Sequence, residues 1–74
     1  MTYFIVNRKN RALSEFHPKD ESRSPFYFKR QSAFIYSDVR EAEDHLQYII
    51  TNTPPKYRKQ AEYLRVSTYA EGWM

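Results

Sequence analysis

Apolar and polar residues come in short blocks along this chain, and each block has its own period. Residues 3–6, YFIV, form an apolar, partly β-branched run that predicts a strand. Residues 7–11, NRKNR, are polar, and asparagine tolerates the left-handed backbone that a tight turn requires. Residues 12–16 read as a returning strand. Residues 17–24 hold Pro18 and mixed charge and read as a loop. Pro25 precedes residues 26–29, which read as a further strand. Residues 33–36 are extended as well, either continuous with that strand or paired with it through a turn at residues 30–32.

The clearest periodicity follows. Asp38 is a good N-cap, and Glu41 three residues later completes a capping box. Val39, Ala42, Leu46, Ile49 and Ile50 then recur as one apolar stripe of an amphipathic helix. The carboxylates of the first turns lie where the helix dipole favours negative charge, so the acidic cluster reads as helix stabilisation and a solvated face. The helix stops near residues 51–53, ahead of Pro54 and Pro55. Pro55 suits the start of a short helical turn reaching residue 61. Residues 62–69 alternate, with Leu64, Val66 and Thr68 on one side and Tyr63, Arg65, Ser67 and Tyr69 on the other. The expectation is one α+β domain over residues 1–74. A small, mostly antiparallel sheet of three to five strands carries one main amphipathic helix, about residues 38–51, on one face. Residues 70–74 read as a loose tail unless Trp73 docks.

The helix stripe must be buried against the sheet. Ile5, Ala33, Ile35, Leu64 and Val66 are expected to meet it. Alternation then sends Phe4, Val6, Phe34, Tyr36, Tyr63 and Arg65 to the opposite face, which has no obvious internal cover. A contiguous exposed aromatic patch usually marks a binding site. Two outcomes stay open: the patch faces a partner, or residues 26–28 or the tail fold over it as a second small core.

Charge refines this picture. The net charge is +3, but residues 38–44 hold four acidic residues against Arg40, leaving a balance of +6 elsewhere. A basic body with one acidic element suits a polyanion or an acidic protein patch, and it also serves solubility. Three basic clusters lie near aromatics: Arg8, Lys9 and Arg11; Lys29 and Arg30; and Lys56, Arg58 and Lys59 around Tyr57. With 74 residues, only about 60% of the unfolded surface can be buried. No cysteine is present to staple the core or bind metal. No stretch has the length of a membrane span, and the first residues are apolar before they are basic, the reverse of a secretory signal. A cytoplasmic location is expected, without membrane association.

Four segments resemble the RNA-recognition motif family. YFIVNR (3–8) is similar to its hexamer motif and RQSAFIYS (30–37) to its octamer motif. DVREAEDHLQYI looks like its second helix and YLRVSTYAE like its fourth strand. The resemblance implies a sheet whose aromatics stack on bases, with Phe4 and Phe34 stacking and Arg30 neutralising phosphate. The pattern departs at Gln31, Ser32, Arg8 and Ser37. Only 21 residues separate the two motif segments, little room for the family's first helix and second strand.

Catalytic equipment is sparse. There is no phosphate loop and no nucleophile elbow, and the two histidines are His17 in a loop and His45 at the edge of the helix stripe. His45 with Glu41 one turn earlier could act as a base and its orienting carboxylate, but such a pair is more often a helix-surface contact. No enzyme activity, cofactor or metal is expected. Seven tyrosines and a tryptophan make an interface-like composition. The leading expectation is a non-enzymatic protein that docks on a protein partner, with Phe4, Arg8, Lys9, Arg11, Arg30, Phe34, Tyr36, Tyr57, Tyr63 and Arg65 as binding residues. In style rather than in motif, it resembles the accessory proteins by which phages and mobile elements inhibit or redirect host machinery. The alternatives are single-stranded RNA or DNA binding by the same face, and self-association into a homodimer.

Overall fold

The computed structural model describes residues 1–20 and 22–72. Strand β1 (Phe4–Val6) pairs antiparallel with β4 (Arg65–Ser67), with Ile5 opposite Val66 and Val6 opposite Arg65. Strand β2 (Glu15–Phe16) pairs antiparallel with β3 (Phe26–Tyr27). Helix α1 (Val39–Asn52) and the five-residue helix α2 (Arg58–Glu62) complete the α+β fold. Among the described residues, no helix is long and apolar enough to cross a membrane.

The single sheet expected from the sequence is therefore two short antiparallel pairs, and a second small helix joins the main one. Buried Ser14 marks where they divide. Before it, Ala12 bridges to Val6 and the Leu13 N–H donates to the Ile5 carbonyl at 2.7 Å. At Ser14 the chain changes partner, and its N–H donates to the Tyr27 carbonyl at 2.7 Å. The Ser14 hydroxyl also donates to that carbonyl at 2.9 Å and accepts from the Lys29 N–H at 2.9 Å. A side chain thus takes ladder positions that backbone groups would fill in a continuous sheet. Residues 26–28, read as either strand or lid, contribute strand β3.

Helix α1 starts where the sequence places it. The Asp38 carboxylate accepts from the Arg40 N–H at 2.9 Å, one residue earlier than in a full capping box. Ala42 and Ile49 are fully buried, while Val39 at the stripe's start is 41% exposed. At the other end, the buried Thr53 hydroxyl donates to the Ile49 carbonyl at 2.6 Å and turns the chain into Pro54. A 3-10 turn over Pro55–Tyr57 leads into α2.

The interior has two parts. On the helix side, Ile5, Leu13, Phe26, Ile49, Ala61 and Leu64 form the main core. On the other side of β1, Phe4 and Val6 pack with Ala12, Ala70 and half-buried Ala33. The second face is thus covered by the chain itself, through Ala12, Ala33 and Ala70. The tail expected to hang loose is tied down as far as Gly72. Ala70 is fully buried, the Glu71 N–H donates to the Asn10 carbonyl at 2.6 Å, and Arg30 binds the Gly72 carbonyl. Trp73 lies outside the described residues.

The facing of residues 33–36 is the reverse of the expectation. Ile35 is 54% exposed, whereas Phe34 and Tyr36 pack against the main core. Tyr3 and Tyr36 exchange backbone hydrogen bonds at 2.8 and 3.0 Å. Directly paired residues share a face, and Tyr3 shares one with Ile5. That pairing turns Tyr36 toward α1, and a slip of one residue reverses every side chain of a strand. The two sites predict opposite responses to truncation. Ile5→Ala is expected to cost about 2–5 kcal/mol in chemical denaturation. Ile35→Ala is expected to stay within about 0.5 kcal/mol. Comparable losses at both positions would contradict this register.

Candidate binding cleft

The ten candidate residues separate into two groups. Phe4 is buried in the second core, at 4% exposure. Phe34 and Tyr36 are half-buried around His45. The Phe34 and His45 rings meet edge-on at 5.1 Å, and the Tyr36 hydroxyl hydrogen-bonds His45 Nδ1. Tyr48 stacks on the imidazole at 6.2 Å. His45 therefore joins an aromatic cluster, and it forms no ion pair with Glu41. Tyr57 is half-buried against the main core, with the Lys56 ammonium 5.5 Å from its ring centre. Of the two outcomes left open for the aromatic patch, the self-covered one holds for Phe4, Phe34 and Tyr36, while Tyr63 stays exposed.

The other residues do gather. The β1–β4 register, continued past Val6 and Arg65, sets Arg8 opposite Tyr63, and the Arg8 guanidinium lies 4.5 Å from that ring centre. Arg8, Lys9 and Arg11 project from the turn after β1. Its shape is fixed from within: Asn7 Oδ1 accepts from the Lys9 and Arg11 N–H groups at 2.9 and 3.0 Å. Asn10 adopts φ of 63°, the left-handed region that asparagine tolerates. It is also fixed from outside. Arg65 donates to the Asn7 carbonyl at 3.0 Å and to Asn10 Oδ1. Arg65 thus holds the turn that presents the other cations. Arg30 does similar work nearby, donating through Nε and Nη2 to the Gly72 carbonyl at 3.0 and 2.9 Å.

Between this turn and the end of α2 lies a cleft of about 500 Å³, within the ~300–1,000 Å³ range of ligand sites. Phe26, Phe28 and Leu64 supply apolar surface, Arg8, Lys9 and Arg11 supply charge, and Asn7, Gln60 and Tyr63 complete the lining. Among the described residues, none that lines it is acidic. A smaller depression of about 200 Å³ adjoins it through Arg11 and Phe28 and reaches Arg30, Glu71 and Gly72. Sequence reasoning found the cations and Tyr63. It missed Phe26, Phe28, Gln60 and Leu64 as neighbours of the basic turn. The only signal for the two phenylalanines was the aromatic run FYF, whose strand pairing the sequence left open, and nothing in the sequence marked Gln60 or Leu64 as their neighbours.

Compared with protein-family models, curated proteins and solved structures, the chain matches none of them. The cleft's own chemistry, a fixed basic rim over apolar surface, is what bears on function.

The His45 cluster generates a pH prediction. Burial pushes the Tyr36 hydroxyl up to about 12 and the His45 imidazole below its ordinary value. As pH falls, the unfolded chain therefore takes up the histidine proton first. This contribution to stability is full above about pH 6.5 and declines as pH drops toward the depressed folded value. Melting temperature is expected to fall across that window in the native protein and to change less in His45→Gln. Parallel profiles for the two proteins would rule out His45 as the source.

Proposed function

We propose that this chain is a non-enzymatic docking protein that binds and modulates a protein partner through the basic cleft rather than through an aromatic sheet face. One observation carries the reading. Arg8, Lys9 and Arg11 stand on a turn locked by Asn7 and Arg65, beside the apolar side chains of Phe26, Phe28 and Leu64. A fixed loop loses little freedom on binding, so more of its contact energy appears as affinity. Interfaces that pair an apolar centre with a charged rim are the common protein–protein arrangement. Modulation of a host protein, in the manner of a phage or mobile-element accessory protein, fits a chain with little sign of catalytic equipment.

Single-stranded nucleic acid is the second reading. It is favoured by the contact of Arg8 with Tyr63 beside two further cations, since cations and rings together serve backbone and base contacts. It would work through the cleft, because Phe34 and Tyr36 face inward.

Tagged native protein and a Lys9→Glu, Arg11→Glu double variant can be compared in affinity capture from a host lysate. The docking reading expects a stoichiometric protein partner that the variant recovers at least about tenfold less well, with unchanged melting temperature. Equal recovery would remove the cleft from the docking surface. Material lost on nuclease treatment would move the assignment to nucleic acid.

A further inference from the structure

The cations on and near the cleft divide by what they already hold. Arg65 is spent on Asn7 and Asn10, Arg30 on Gly72, and Arg8 on the Tyr63 ring. Lys29 is 3.5 Å from the Glu15 carboxylate. Lys9 and Arg11 differ. Both are exposed, and neither side chain has an acidic partner among the described residues. Their backbone N–H groups are nonetheless fixed on Asn7, so the turn from which these two cations project is held at the edge of the cleft. Half-buried Phe28 presents apolar surface beside them.

We infer that the cleft accepts an acidic segment of a partner protein carrying one bulky apolar side chain. The apolar side chain rests on half-buried Phe28, and flanking carboxylates pair with Lys9 and Arg11. This rests on the docking reading and specifies its partner. Charge complementarity selects the acidic flanks, because among the described residues the charged lining of the cleft, Arg8, Lys9 and Arg11, is entirely basic. The apolar surface selects the anchor, since one buried large side chain commonly dominates such contacts.

Nucleic acid fits the same surface less well. Base stacking needs open ring faces. Arg8 already covers Tyr63, Phe26 is only 6% exposed, and Phe34 and Tyr36 are turned inward. Two free cations also make a short track for a phosphate backbone. A second copy would offer the acidic start of α1, where Val39 is a small anchor.

The test uses short fluorescein-labelled peptides of aspartate and glutamate with one central residue, either tryptophan, phenylalanine, leucine or alanine. Their binding to the native protein is followed by anisotropy. A thymidine oligonucleotide of similar length serves as competitor. At least one bulky-anchor peptide is expected to bind about tenfold or more tightly than the alanine peptide. Lys9→Glu with Arg11→Glu should reduce its affinity at least about tenfold, and Phe28→Ala should erase the preference for a bulky anchor. Equal affinity for all four peptides would overturn the anchor. Absence of peptide binding, with a protein still captured through the cleft, would overturn this inference and leave the docking reading standing. Tighter binding of the oligonucleotide would assign the cleft to nucleic acid. A charge-dependent increase in mass without peptide would assign it to a second copy.

Discussion

Burial of β1 on both faces is the constraint that organises this molecule. Ile5 enters the main core while Phe4 and Val6 enter the second, and all three are buried. A strand buried on two sides needs two layers of cover, and this chain has one long helix to give. Helix α1 and Leu64 cover the Ile5 side. The Phe4 side is closed by small residues, Ala12, Ala33 and Ala70, from three separated segments. Small side chains let those backbones come close, which also satisfies their hydrogen bonds. The bond from Glu71 to Asn10 follows from bringing Ala70 over β1.

The same constraint places the candidate site. Because β4 returns antiparallel beside β1, Tyr63 and Arg65 arrive next to the turn that leaves β1. Arg65 becomes a structural clamp, and Arg8 finds a ring. Residues distant in sequence, from positions 7–11 and 60–64, come to line one cleft. Phe28 joins that lining because Ser14 hands the chain from β1 to β3. The basic cleft is thus a product of the topology, with no loop dedicated to building it.

The legibility of the sequence follows the range of the interactions. Helix α1, its Asp38 cap and the Pro55 start of the next turn rest on contacts within a few residues, so periodicity and capping rules identify them. The turn at Asn7 and Asn10 is local for the same reason. The facing of Phe34 and Tyr36 depends instead on the pairing of Tyr36 with Tyr3, across more than thirty residues. Ala33 and Ile35 fitted the core by hydropathy as well as Phe34 and Tyr36 did by size, and only the partner strand decides between them. The cover over Phe4 was likewise hidden, because alanines carry no pattern. Arg8, Lys9, Arg11, Tyr63 and Arg65 were found as separate features. Their meeting needed the strand register.

Charge adds the last step. The Tyr3–Tyr36 bridge lies at one end of β1 and the basic turn at the other. Asp38 opens α1 two residues after Tyr36, so the acidic cluster belongs to the end away from the turn. A three-residue strand advances about 10 Å, roughly one Debye length at physiological salt. The acidic residues of α1 therefore satisfy their own helix terminus while weakening the field at Lys9 and Arg11 only modestly. A net charge of +3 understates the local potential of the cleft. An approaching acidic surface would be oriented as well as attracted, since the opposite end repels it. One short strand thus fixes the core, assembles the cleft and sets the charges apart.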